Sequence, residues 1–104
     1  MVKFPFTDLH SFKDYIVFVQ VGLPNRFPLR ERLGPDEQWT PDLAFEGLRY
    51  GLRLAMEKEG ENAVFLKCQE LVEEAYKLYG SEDVRGGFFK LEEVQKLLAT
   101  IPSR

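Results

Sequence analysis

A stretch rich in proline and glycine, residues 22–38, limits what this chain can fold into more than any other feature. Proline lacks the amide hydrogen that a helix needs and collides with the preceding turn, so no continuous helix can cross this stretch. The chain is therefore predicted to form a short N-terminal element, a long loop over 22–38 and a longer folded region after it. The residues responsible are Gly22, Pro24, Pro28, Gly34 and Pro35.

The longer region opens with the strongest helix start signal in the chain. Thr40 is a good N-cap, Pro41 suits the first helical position, and Asp42 lies favourably against the positive end of the helix dipole. A helix over 41–59 follows, with apolar residues on two sides. An element that is apolar on two sides is expected to lie at the centre of the fold.

Two further helices are predicted towards the C-terminus. The segment over about 62–79 has the cleanest amphipathic pattern in the sequence, and the glycine that follows it is a good C-terminal stop. The segment over about 91–101 repeats leucine and valine at helical spacing. Residues 81–90, which include Gly86 and Gly87, are expected to form the loop between them.

The element before the proline-rich loop has two interpretations. Thr7 and Asp8 can cap a helix over about 9–21. The run over 15–19 is rich in β-branched and aromatic residues, so a short buried strand is the alternative. The apolar residues at helical spacing are Phe12, Tyr15, Ile16 and Val19.

The fold class that these elements predict is all-α. A chain of 104 residues, 44% of them hydrophobic, can bury one modest core and no second. We therefore expect one domain over 1–104, an irregular bundle of about four helices. Residues 41–101 are expected to supply the core helices.

Gly47 and Gly51 lie one turn apart on the predicted helix over 41–59. A glycine inside a helix costs about 1 kcal/mol relative to alanine, so some other interaction should offset that cost. Close approach of a neighbouring helix is the expected reason. An aromatic ring or a partner element lying across Gly47 is the alternative.

Residues that could carry catalysis are scarce. The chain has one histidine, His10, and one cysteine, Cys68, and the cysteine falls on the apolar face of the helix over 62–79. A thiol in that position behaves as a small buried hydrophobe. No Cys/His spacing typical of zinc and no phosphate-binding glycine loop is present. The sequence therefore favours a protein without enzymatic activity and without a cofactor.

Charge and hydropathy narrow the classes of partner. The formal charge of -3, with the acidic excess in the C-terminal half, disfavours nucleic acid and anionic membranes. No apolar stretch approaches the ~20 residues needed to span a bilayer. The single cysteine and a start without signal-peptide features lead us to expect a cytoplasmic protein.

A basic segment within the proline-rich loop is the first candidate for a binding site. Arginines alternating with apolar residues suit the surface of an acidic partner protein, and the residues expected to bind it are Arg26, Phe27, Arg30 and Arg32. One alternative is a solvated loop that tucks Phe27 and Leu29 into the core. Another is a site for phosphate or nucleic acid, to which Arg49 and Arg53 would contribute.

The segment over 70–101, ELVEEAYKLYGSEDVRGGFFKLEEVQKLLATI, resembles the helix-loop-helix of the EF-hand family. In one register the loop starts at Glu82 and ends at Glu93, with Gly87 at the turn glycine. In this register Val84 and Gly86 stand where the family supplies aspartate or asparagine. The resemblance implies a calcium-binding loop, a function unlike that of the basic segment.

A second register starts the loop at Gly80 and resembles the longer pseudo-EF-hand loops. Those loops coordinate calcium mainly through backbone carbonyls. What this resemblance implies, position by position, is a ligand set made of the carbonyls of Gly80, Asp83, Arg85 and Phe88 and the carboxylate of Glu93.

Taken together, the sequence predicts a small protein-interaction module that acts as a regulator, an adaptor or an inhibitor of the immunity type. Its expected partner is another protein, and a homodimer is an alternative because 13% aromatic residues are many for so small a core to hide. A degenerate calcium-binding module and a binder of phosphate or nucleic acid are the two competing functions.

Overall fold

The computed structural model describes residues 4, 6–23, 27, 34 and 38–101, and the only regular secondary structure in these residues is helical. The predicted all-α fold is confirmed, and the N-terminal element is a helix rather than a strand. Among the described residues, each helix packs against two others, in the ring order α1, α2, α3, α4 and back to α1. The helices are α1 Leu9–Gly22, α2 Pro41–Glu59, α3 Ala63–Gly80 and α4 Val84–Leu98.

Side chains cap the start of every helix. The Asp8 carboxylate accepts from the Ser11 amide at 2.8 Å, and the Thr40 hydroxyl accepts from the Leu43 amide at 3.1 Å. Asn62 does the same for α3. The start signals read from the sequence at the first two helices are confirmed, because capping depends on residues close in sequence.

The core lies inside the ring of helices and draws on all four. The apolar face predicted for α2 is buried, and so is Cys68 in the middle of α3. The largest fully buried side chains are Phe12, Ile16 and Val19 of α1, Phe45, Leu48 and Leu52 of α2, Phe65, Leu71 and Val72 of α3, and Leu91, Val94 and Leu98 of α4.

Aromatic rings of α1 lie on the glycines of α2. A Cβ atom built at Gly51 would lie 2.7 Å from Phe12 Cζ, and one built at Gly47 would lie 2.7 Å from Tyr15 Cζ. The Tyr15 hydroxyl then donates to the Ala44 carbonyl at 3.0 Å. Both expectations for this glycine pair are met at once, because the neighbouring helix makes its close approach through aromatic rings.

The predicted start of the last helix is wrong. Residues 81–90 do not form a loop, because α4 begins at Val84 and Asp83 caps it by accepting from the Gly86 amide at 2.9 Å. A Cβ atom at Gly87 would lie 2.6 Å from Tyr79 Cδ2, so this glycine lets the Tyr79 ring of α3 pack directly on α4. Glycine has a low helix propensity, which is why the sequence alone predicts a loop here. The packing of Tyr79 on the helix offsets that low propensity.

The turn from α3 to α4 is only three residues long and contains a strained position. Glu82 has a φ of 68°, in the left-handed region that residues with a Cβ atom seldom adopt. This backbone conformation closes the helical hairpin, because the Asp83 amide donates a hydrogen bond to the Leu78 carbonyl at 2.8 Å.

A buried polar cluster joins α1 to α4. Gln20 is 6% exposed, and its side-chain nitrogen donates to Glu92 Oε2 at 2.9 Å and to the Phe88 carbonyl at 3.3 Å. Its side-chain oxygen accepts from Gln95. A slip of one helix along the other would leave these groups without partners, so the cluster holds the two helices in register.

The substitution Gly51→Ala tests the aromatic contact between α1 and α2. Alanine has the higher helix propensity, but overpacking against Phe12 costs about 1–3 kcal/mol, so we expect a lower melting temperature. Gly80→Ala is the matched control, because a Cβ atom there meets nothing within 4 Å. If Gly51→Ala raised the melting temperature as much as the control, the close contact would be absent.

The substitution Glu82→Gly tests the strained turn. Glycine adopts a positive φ without steric cost, so the free energy of unfolding should rise by about 1 kcal/mol, measured by urea denaturation. Ser81→Gly is the control, because Ser81 has a φ of -96° and glycine relieves nothing there. Equal effects of the two substitutions would contradict a left-handed conformation at Glu82.

Candidate functional site

Exposed apolar side chains gather on the first half of α4. Val84 and Phe88 are each 39% exposed and Phe89 is 56% exposed, and we call these three residues the α4 patch. The two phenylalanine rings meet edge to face with their centroids 5.8 Å apart, and the Arg85 guanidinium lies 5.8 Å from the Phe89 centroid. The hydrogen bond from Gln20 to the Phe88 carbonyl places α1 beside this patch.

The surroundings of the α4 patch are acidic. The two basic residues of this segment are Arg85 and Lys90, and Lys90 pairs with Glu74 of α3 at 2.8 Å. Arg85 is therefore the one cation of this segment that is not neutralised by an ion pair with another described residue. The carboxylates before and after the patch in the sequence are Glu82, Asp83, Glu92 and Glu93.

A pocket of about 420 Å³ opens between the start of α2 and the end of α3, and we call it the Asp42 pocket. The Tyr76 hydroxyl donates to Asp42 Oδ1 at 2.8 Å, and this hydrogen bond raises the pKa of Tyr76. Burial raises the pKa of Tyr79 to about 12, and the Tyr79 hydroxyl has no partner among the described residues. The pocket is lined by Thr40, Pro41, Asp42, Phe45, Tyr76, Lys77, Tyr79 and Gly80.

The pocket and the α4 patch share one end of the bundle. The ring of Tyr79 lines the pocket and also packs on Gly87, the residue before Phe88. The α3–α4 turn thus separates the Asp42 pocket from an exposed aromatic surface.

The two arginines predicted on α2 line a groove of about 360 Å³ between α2 and α3. Arg49 donates to both carboxylate oxygens of Glu73, at 2.7 and 3.0 Å, and lies 4.9 Å from the Tyr76 ring centroid. Arg49 thus pairs with a residue of the neighbouring helix α3. A bidentate pair of this kind leaves Arg49 little capacity for a phosphate.

The Arg49 pair makes the stability of the fold depend on pH. Its hydrogen bond lowers the pKa of Glu73, so the stabilisation is complete above the ordinary pKa of glutamate and is lost as the pH falls through the lowered value. Glu73→Gln should therefore lower the melting temperature more at about pH 7 than at about pH 3. Thermal melts at the two pH values measure the difference.

Glu70→Gln is the control for that experiment, because Glu70 makes only an exposed pair with Lys67 at 3.6 Å. Such pairs contribute little, so we expect no comparable pH-dependent loss. A loss for Glu73→Gln that is equal at both pH values would show that the ion pair is not its cause.

The basic segment of the proline-rich loop is described only at Phe27. The Phe27 ring is partly buried, with its centroid 5.6 Å from Phe18 and 6.0 Å from Trp39, so it packs on the core as the solvated-loop alternative expects. The arginines predicted to bind a partner, Arg26, Arg30 and Arg32, lie outside the described residues, and so does Leu29. Binding of an acidic protein by this loop stays a prediction.

The residues predicted to bind calcium lie at the end of α3, on the α3–α4 turn and on α4. Arg85 and Phe88 are helical, so their carbonyls point along the helix axis rather than towards a common centre. Asp83 uses its carboxylate to cap α4, and no cluster of three metal-ligating side chains occurs in the described residues. Calcium binding by these residues stays a prediction.

Cys68 and His10 lie in unlike surroundings. Cys68 is fully buried in α3, and burial raises the pKa of its thiol to about 11, whereas His10 is exposed at the start of α1. A thiol with so high a pKa carries almost no thiolate near neutral pH, which favours a structural role for this cysteine.

Comparison with protein-family models, with curated proteins and with solved structures finds no match to this chain. None of the helices in the described residues has the length and apolar character needed to cross a membrane. Any function must therefore be inferred from the geometry and chemistry of the chain itself.

Proposed function

We propose that this protein is a non-enzymatic protein-interaction module, a regulator, an adaptor or an inhibitor, and that it binds its partner through the α4 patch. The observation that carries the proposal is the exposure of two adjacent phenylalanines, Phe88 and Phe89, on a helix whose other apolar face is buried. Aromatic residues are enriched at protein interfaces and supply much of their binding energy.

The rigidity of the α4 patch supports this function. Asp83 caps α4 beside it, Tyr79 packs on the helix at Gly87, and Gln20 bonds to the Phe88 carbonyl. Anchors that are already ordered lose less entropy on binding than anchors on a flexible loop.

The charge around the patch indicates the chemistry of the partner. The carboxylates of Glu82, Asp83 and Glu93 are exposed, and Lys90 is already paired with Glu74. Arg85 is the one cation of this segment without an ion pair to another described residue, so the exposed carboxylates outnumber it. An acidic rim favours a partner that presents an apolar side chain flanked by lysine or arginine, and it repels an acidic surface or a phosphate. The proposed partner is therefore a protein with a basic, amphipathic binding segment.

The probe for this proposal is a pair of amphipathic helical peptides of equal length, one built of leucine and lysine and the other of leucine and glutamate. We expect the protein to bind the lysine peptide, with an affinity that falls as salt rises, and not the glutamate peptide. The double substitution Phe88→Ser with Phe89→Ser should weaken binding by about tenfold or more, measured by fluorescence anisotropy.

Leu66→Ser is the matched control for the loss of an exposed apolar side chain. Leu66 is 45% exposed on the first turns of α3, roughly 20 Å along that helix from its end near the α4 patch. Its substitution should leave peptide binding unchanged. Equal binding of the two peptides, or full binding by the double variant, would overturn the proposal.

A second copy of this chain is the other occupant that the patch could take. Light scattering decides this, because a wild-type dimer that the double substitution converts to a monomer would identify the patch as a self-association surface. A monomeric wild-type protein agrees with the proposed function.

A further inference from the structure

The Asp42 pocket has walls suited to a positive charge. Tyr76 is 37% exposed, and Phe45 lies behind the two tyrosines with its ring centroid 5.2 Å from Tyr76 and 6.0 Å from Tyr79. The faces of aromatic rings carry negative potential and attract organic cations. Tyr76 already holds the Arg49 guanidinium against its ring, and Arg49 itself does not line the pocket.

The Asp42 carboxylate lies beside these rings, and one of its oxygen atoms can still accept a hydrogen bond. Asp42 Oδ1 accepts from the Tyr76 hydroxyl, while none of the described residues donates to Asp42 Oδ2 or forms an ion pair with Asp42. The last residue of α3, Gly80, lines the pocket too, so the negative end of that helix dipole adds to the attraction.

Three features oppose a cation at this place. Lys77 lines the pocket, and the positive end of the α2 dipole lies at Asp42. The third is the Arg49 guanidinium on the Tyr76 ring, whose charge is neutralised by its ion pair with Glu73. The Lys77 side chain is exposed and makes no ion pair with another described residue, so it can turn towards solvent. The first-turn carboxylate of Asp42 already offsets the α2 dipole.

We propose that the Asp42 pocket binds an organic cation, a guanidinium or alkylammonium group carried on an apolar body, between the tyrosine rings and the Asp42 carboxylate. A cavity of about 420 Å³ is within the size range of ligand sites in proteins. The cation arrives either as a free small molecule or as an arginine or lysine side chain of a partner. Recognition is the same in both cases.

The test measures binding of Nα-acetyl-arginine methylamide, Nα-acetyl-lysine methylamide and choline to the purified protein by amide chemical shifts in NMR titrations. Nα-acetyl-norleucine methylamide is the neutral control, and Nα-acetyl-aspartate methylamide is the anionic one. We expect the cations to shift the amides of Asp42, Tyr76 and Tyr79, and the two controls to leave them in place.

Two substitutions of opposite charge effect give the decisive comparison. Asp42→Asn should weaken cation binding by about fivefold, whereas Lys77→Met should strengthen it. The reverse pattern would mean that the pocket binds an anion. Weaker binding by both variants would mean that it binds a zwitterion. Either result overturns the proposal. Absence of any cation-dependent shift overturns it as well.

A second pair of substitutions separates the ring from the hydroxyl. Tyr76→Phe keeps the aromatic face and should keep cation binding within about twofold, whereas Tyr76→Leu should lose most of it. Equal loss in both variants would show that the aromatic face does not bind the cation, which contradicts the proposal. Circular dichroism of each variant checks that the fold is intact.

The two sources of the cation are distinguished in the same titrations. Tighter binding of the arginine or lysine derivative than of choline indicates a partner side chain, and the opposite order indicates a free quaternary ammonium. The Phe88→Ser, Phe89→Ser double variant should bind the small cations as the wild type does. Failure of the α4 patch as a protein-binding surface therefore leaves this inference standing, and the reverse also holds.

Discussion

The contact between the Tyr79 ring and the backbone of Gly87 is the constraint on which the rest of this structure depends. It brings α4 against α3 immediately after a three-residue turn, so the helix begins at Val84 rather than at the leucine-rich segment further on. Because α4 begins there, Phe88 and Phe89 belong to a rigid helix and are presented to solvent. The same ring forms a wall of the Asp42 pocket. The Tyr79 ring and the missing side chain of Gly87 thus position both candidate binding sites, the α4 patch and the Asp42 pocket.

The same kind of contact, an aromatic ring packed on a glycine of a neighbouring helix, joins α1 to α2. Phe12 of α1 lies on Gly51 of α2 as Tyr79 lies on Gly87, and in each case glycine lowers helix propensity while the ring gains close packing. Small chains have little core to spare, so burying a large ring against bare backbone is an effective way to gain apolar contact. The cost is low tolerance to substitution, because alanine at either glycine would displace the ring.

Local sequence signals predicted the parts of the fold that depend on neighbours along the chain. Thr40 and Pro41 marked the start of α2, and Gly80 marked the end of α3, because such signals act over a few residues. The start of α4 was missed because the interaction that offsets Gly86 and Gly87 comes from another helix. The α4 patch was missed for the same reason, since the exposed face is defined only once the helix start is known. Likewise Arg49 pairs across helices with Glu73, which no spacing within α2 could indicate.

The most direct test of this account is the NMR measurement of Cα chemical shifts over residues 84–90, with the α-proton shifts of Gly87. We expect helical Cα shifts from Val84 onwards and α-protons of Gly87 displaced by the ring current of Tyr79. Random-coil shifts up to Lys90, with a helix that begins only near Leu91, would contradict it. That result would remove the rigid α4 patch and restore the long loop on which calcium binding depends.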